Sequence, residues 1–127
     1  MVSINFALEV HLQGRIIADT LGVRQYSGVG GHLDFVEGTG LCLEHTSLIC
    51  LQSTALIKGE RKSRIIGGMD SHSVVTPPRH LTGVIVTEYG CALLCGPSVR
   101  ERAQAMIAIA HPDFRDELSA CAESLGR

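Results

Sequence analysis

Three glycines in four positions, Gly28, Gly30 and Gly31, sit in the stretch Tyr26-Ser27-Gly28-Val29-Gly30-Gly31-His32-Leu33-Asp34-Phe35 and constrain whatever is built around them. The backbone there is free to take positive φ, and no Cβ keeps another molecule at a distance. Leu33, Phe35 and Val36 read as the opening of a short helix. A glycine turn entering a helix directs unpaired N–H groups at one point, which suits a phosphate, a carboxylate or a developing oxyanion. No Gly-Lys-Ser/Thr follows, so this is not the phosphate-binding loop, and the spacing is not that of the dinucleotide fingerprint. On the motif alone, a plain turn is an equally good reading.

Around this turn the pattern is mostly that of strands. Ile4, Phe6, Leu8 and Val10 alternate with Asn5, Ala7 and Glu9, which predicts one strand over 3–10 with a single buried face. Gln13-Gly14 supplies a turn, and residues 15–18 return as a second short strand. The run 47–51 reads as a strand buried on both faces. Lys58, Arg61, Lys62 and Arg64 with Glu60 predict an exposed basic connector, for which a phosphate is the alternative partner. Residues 63–66 are a candidate strand ending at Gly67-Gly68, 73–76 another stopped by Pro77-Pro78, and 83–90 a central, β-branched strand.

The period changes at Ser98. Ser98 and Glu101 form a capping box that opens a helix with Val99, Ala103, Met106, Ile107 and Ala110 on one face. His111-Pro112 ends it, and Asp113 begins a second helix with acids near its positive end. Strands first and two helices last make a mixed-sheet α/β chain.

Bulk properties exclude several functions. With 45% hydrophobic and 19% charged residues, the 127-residue chain is a folded domain or part of one. Net charge −2 and 4% aromatic residues give no footprint for nucleic acid. No apolar run approaches the ~20 residues that span a bilayer, and the N-terminus shows no secretory leader. The expectation is a cytoplasmic protein. Cys42, Cys50, Cys91, Cys95 and Cys121 are odd in number and lie in apolar runs, which predicts buried reduced thiols. The six histidines show no zinc-like spacing with them, so no metal is expected.

Several pieces follow one another in a recognisable order: Ser3-Ile4-Asn5 with Ala7-Leu8-Glu9-Val10, Arg24 to Gly31 with Asp34-Phe35, Ser53-Thr54-Ala55 and Ser63-Arg64-Ile65. Val75-Thr76, Pro78-Arg79-His80, Val86-Thr87-Glu88-Tyr89-Gly90, Arg100 to Ala103 and Ile109 to Arg115 complete the set. In this the chain resembles the C-terminal region of the acetyl-CoA hydrolase/transferase family, which includes acetate and 4-hydroxybutyrate CoA-transferases. The resemblance implies an α/β fold, a mixed sheet of CoA-transferase type flanked by helices, with two C-terminal helices. It also implies that residues 1–127 are a partial C-terminal domain, the N-terminal domain and the nucleophile-bearing segment being absent.

Such enzymes work by a ping-pong route in which a glutamate attacks the acyl-CoA and passes through an anhydride and a glutamyl-CoA thioester. By resemblance that glutamate lies upstream, so no catalytic residue is expected in this chain. The amides of Gly30 and Gly31 would support the oxyanion, Gly31 being the main donor. Ser27, Gly28, Gly30, Gly31 and Lys58 would contact coenzyme A, which is a substrate here. The implied partners are an acyl-CoA, a carboxylic acid and the missing N-terminal domain. His11 stands where the family pattern has Asp, Gln52 where it has Pro, and Leu93 and Cys95 where it has Asp and Arg. Loss of that charge pair implies a relaxed site or a repacked interior.

Three readings follow. The chain is the CoA-contacting part of a transferase; or a stand-alone, catalytically dead module binding CoA or a protein; or an independent thioesterase using Glu88 or a cysteine. A sheet lacking its partner strands would expose apolar surface, so a homo-oligomer is expected.

Overall fold

The computed structural model describes residues 2–17, 20–21, 24–25, 46–68, 83–95 and 98–125. The glycine stretch and the strand expected at 73–76 lie outside the described residues. The principal sheet has the order β1-β6-β10-β11, built from β1 (Val2–Phe6), β6 (Thr46–Cys50), β10 (Val84–Thr87) and β11 (Gly90–Leu93). β6 runs parallel to both β1 and β10, and β11 returns antiparallel to β10, so the sheet is mixed as expected.

A smaller sheet sets β2 (Glu9–His11) between β3 (Ile16–Ile17) and β9 (Ile65–Ile66). The two-residue strands β4 (Thr20–Leu21) and β5 (Arg24–Gln25) pair antiparallel. A hairpin, β7 (Thr54–Ile57) and β8 (Glu60–Ser63), stands apart from these sheets. Helix α1 (Val99–Ala108), a 3₁₀ turn (Pro112–Phe114) and helix α2 (Arg115–Leu125) close the chain.

The single strand expected over 3–10 is two strands in two sheets. The Ala7 N–H donates to Cys50 O at 3.2 Å, whereas the next amide, Leu8, donates to Ile17 O at 2.9 Å. The backbone changes partners between those two residues, and the side-chain alternation cannot register it. Nor is the apolar face of β1 buried: Val2 and Ile4 are 62% exposed and Phe6 77%. Register puts Ile4, Leu48, Val84 and Leu93 in one row and Phe6, Cys50, Val86 and Cys91 in the next. That face is bare or half-covered throughout, so β6 is buried on one face and not on two.

The opposite face carries the core. Ile49, Ile85, Ala92 and Leu94 pack with Ala103 and Met106 of α1 and Leu118 of α2, joined by Val10, Leu12 and Ile65 from the smaller sheet. α1 begins as its sequence predicts: Ser98 N–H donates to Glu101 Oε2 at 2.7 Å and Glu101 N–H to Ser98 Oγ at 3.3 Å. The turn at Gln13-Gly14 also forms, with Gly14 at φ +88°. Inside it the buried His11 ring accepts from the Gln13 N–H at 3.1 Å. Burial, then the nearby Arg15 charge, holds this histidine's pKa below the ordinary value, against a hydrogen bond to the Gly67 main chain. A side-chain acceptor is what that turn uses, which rationalises His in the place of Asp.

Two further expectations change. The basic connector is β8 of the hairpin, turned by Lys58 (φ +52°) and Gly59 (φ +80°), the two positive-φ positions of a type I′ turn. The four described cysteines are thiols but not buried: Cys91 and Cys95 are exposed, Cys50 and Cys121 half-buried. Leu93 and Cys95 are exposed, so their departure from Asp and Arg does not repack the interior.

Gly67 packs directly on α2: a Cβ there would sit 2.5 Å from Cys121 Cβ and 2.7 Å from its Sγ, whereas one on Gly68 meets nothing within 4 Å. Gly67→Ala therefore destabilises the fold by about 1–3 kcal/mol through overpacking, while Gly68→Ala stays within ~0.5 kcal/mol of the parent. Urea unfolding of both variants tests this, and equal midpoints would contradict it.

Candidate functional site

The turn between β10 and β11 presents Glu88 and Tyr89 beside the start of the β7–β8 hairpin. β10 is β-branched and pairs on both sides, which fixes where its exit points. Thr87 anchors that exit. Its hydroxyl donates to Ile109 O at 2.7 Å, just past the end of α1, and accepts from the Tyr89 N–H at 3.2 Å.

Across from it, the fully buried Ser53 engages the Glu88 carboxylate. The Ser53 N–H donates to Oε2 at 2.9 Å and more weakly to Oε1 at 3.3 Å, and the Ser53 hydroxyl donates to Oε1. Burial raises the Glu88 pKa. The Ser53 hydroxyl, the Ser53 amide, its own amide and the neighbouring His111 together outweigh that, and the carboxyl sits below its ordinary value.

The 3₁₀ turn and α2 complete the cluster. His111 Nδ1 accepts from the Asp113 N–H at 3.1 Å, capping the 3₁₀ turn. Its ring meets Tyr89 and Phe114 edge-on, with centroids 5.9 and 6.0 Å away. Arg61 of β8 places Nη1 3.1 Å from His111 Nε2. The Arg115 guanidinium lies 5.6 Å from the Tyr89 centroid, and its Nε donates to Ala110 O at 3.0 Å. Chemically this corner offers a held carboxylate, an imidazole and two guanidiniums, a polar set suited to recognising charge. Among the described residues no group of three or more His, Cys, Asp or Glu is placed to hold a metal ion. Among them also, no helix is long and apolar enough to cross a membrane.

Of the sequence-derived candidates, Ser27, Gly28, Gly30 and Gly31 lie outside the described residues. Lys58 is at the exposed tip of the hairpin. Arg61, Tyr89 and His111 carry no local sequence pattern that marks them as site residues. Arg61 and His111 are fifty residues apart and Ser53 and Glu88 thirty-five, and no local spacing reveals such pairs. The one signal available was that Ser53, Glu88 and His111 all fall within segments that carry the family resemblance.

The fold is of CoA-transferase type. The chain superposes on a 4-hydroxybutyrate CoA-transferase from Porphyromonas gingivalis with a TM-score of 0.74 at 34% identity, covering 98% of this chain and 27% of that one. With RipA from Yersinia pestis the TM-score is 0.85 at 45% identity, covering 98% and 28%. Residues 1–122 match the acetyl-CoA hydrolase/transferase C-terminal domain, and the chain belongs to that family. Over 117 residues it is 51% identical to a probable butyrate:acetyl-CoA coenzyme A-transferase of Syntrophomonas wolfei, covering 92% of this chain and 26% of that protein. The chain thus spans about a quarter of the length of the relatives it matches.

Glu88 titrates below its unfolded value of about 4.3, so its stabilisation is present above that pH and is lost as pH falls through the folded pKa. Ser53→Ala removes one donor and raises the Glu88 midpoint in an NMR carboxyl titration. The stability difference between parent and variant then shrinks on acidification below about pH 4.3. An unchanged Glu88 midpoint would contradict the assignment.

Proposed function

We propose that this chain is the CoA-contacting C-terminal portion, residues 1–127, of an acyl-CoA:carboxylate CoA-transferase or acetyl-CoA hydrolase. Catalysis in this reading requires polypeptide beyond the chain. The observation that carries it is a sheet with one apolar face bare or half-covered among the described residues, Ile4, Phe6 and Leu93 being exposed on it, in a chain matching about a quarter of its relatives. Burying such surface is worth ~25 cal/mol per Å², so the face favours a cover.

The attacking glutamate comes from outside the chain, and the substrates are an acyl-CoA and a carboxylic acid. Ser27, Gly28, Gly30 and Gly31 face the thioester end of CoA, with Lys58 toward its phosphates. The amides of Gly30 and Gly31 receive the charge that develops on the thioester oxygen as the tetrahedral centre forms. Use of Glu88 as an independent nucleophile is disfavoured, since both its oxygens are engaged by Ser53. A catalytically dead module that binds CoA or another protein is the second reading, and the exposed Leu93 and Cys95 favour it.

Calorimetry with CoA tests the loop assignment. The parent chain binds, and Gly31→Val weakens binding by at least tenfold. Equal affinities would remove the glycine stretch from the site.

Without its larger partner the chain covers its bare face with a second copy. Light scattering at micromolar concentration then reads at least a dimer. A monomer would contradict self-association.

A further inference from the structure

With His111 Nδ1 engaged as an acceptor, the contact between Arg61 and His111 holds two donors and no acceptor. His111 Nδ1 already accepts the Asp113 amide hydrogen at 3.1 Å, so in the neutral ring the proton sits on Nε2. The Asp113 carboxylate, with Oδ2 3.7 Å from the same Nδ1, is beyond hydrogen-bond reach and does not alter this. Nε2 therefore presents an N–H, and 3.1 Å away is Nη1 of Arg61, which carries only donors. As placed, the pair leaves both hydrogens facing each other.

No carboxylate among the described residues resolves it. Among the described residues Arg61 has no carboxylate within ion-pair distance. Glu88, a further acid near the ring, is turned to Ser53 through both oxygens. The ring itself is fixed by its cap at Asp113 and by the edge-on contacts with Tyr89 and Phe114, so it does not turn away freely. On the hairpin Leu56 lies opposite Arg61 in register, is 76% exposed, and provides an apolar flank.

We propose that the notch between Arg61 and His111 binds an oxyanion, a phosphate or a carboxylate. Its oxygen accepts from Nε2–H and from the Arg61 guanidinium, with the rest of the ligand against Leu56. The two sources share this chemistry: a phosphate group of a nucleotide-like molecule, or the carboxylate of a short-chain acid. The proposal is independent of whether the glycine stretch receives CoA.

NMR on the full chain tests it. Long-range ¹H–¹⁵N spectra at pH 7.5 place the His111 proton on Nε2, and titrations with inorganic phosphate and with acetate shift the His111 ring and Arg61 Nε–H signals saturably in at least one series. The stronger series identifies the source. Arg61→Met weakens binding by tenfold or more. Lys62→Met, which removes the same charge from the neighbouring strand position, leaves it within twofold. His111→Gln, which keeps an N–H donor, retains more affinity than His111→Phe. A proton on Nδ1 would overturn the proposal, as would non-saturable shifts with both anions, or equal losses in Arg61→Met and Lys62→Met.

Discussion

The packing of one sheet face on two helices is what the rest of this chain depends on. Ile49, Ile85 and Ala92 from three strands, with Leu94 just past β11, meet Ala103 and Met106 of α1 and Leu118 of α2, and all are buried. At roughly 25 cal/mol per Å² of apolar surface, no surface ion pair of this chain competes with that term. The helices lie on the sheet because they follow it in sequence and their apolar stripes face back onto it. The corner bearing Glu88 and Tyr89 is placed by that same packing, because β10 leads straight into it.

The asymmetry of the sheet links fold to role. Its inner face is closed by this chain's own helices. Its outer face, with Phe6 and Leu93 exposed, is apolar across four strands without a comparable cover among the described residues. A contiguous exposed apolar patch of this kind marks a surface that another polypeptide covers. The relatives, some four times as long, contain far more polypeptide than this chain has.

Elements with strong local chemistry were legible in the sequence: the capping box at Ser98 and Glu101, the β-branched run of β10, the turn at Gly14. β11 was not, because Gly90-Cys91-Ala92-Leu93 carries no β-branched residue and is a strand by virtue of pairing with β10. The 3–10 run reads as one strand because alternation reports which side a residue faces, not which sheet it joins or whether that side is covered. The site was less legible than the fold. Ser53 and Glu88, or Arg61 and His111, come together only through tertiary contact.

Thr87 has a further consequence. One hydroxyl group ties the exit of β10 to the carbonyl of Ile109 and to the amide of Tyr89, so strand end, helix end and turn share a single joint. A displacement of α1 along the sheet would be felt at the Glu88 carboxylate without any loop having to carry it. The corner behaves as a bracket bolted to the frame, and its alignment is inherited from the interior.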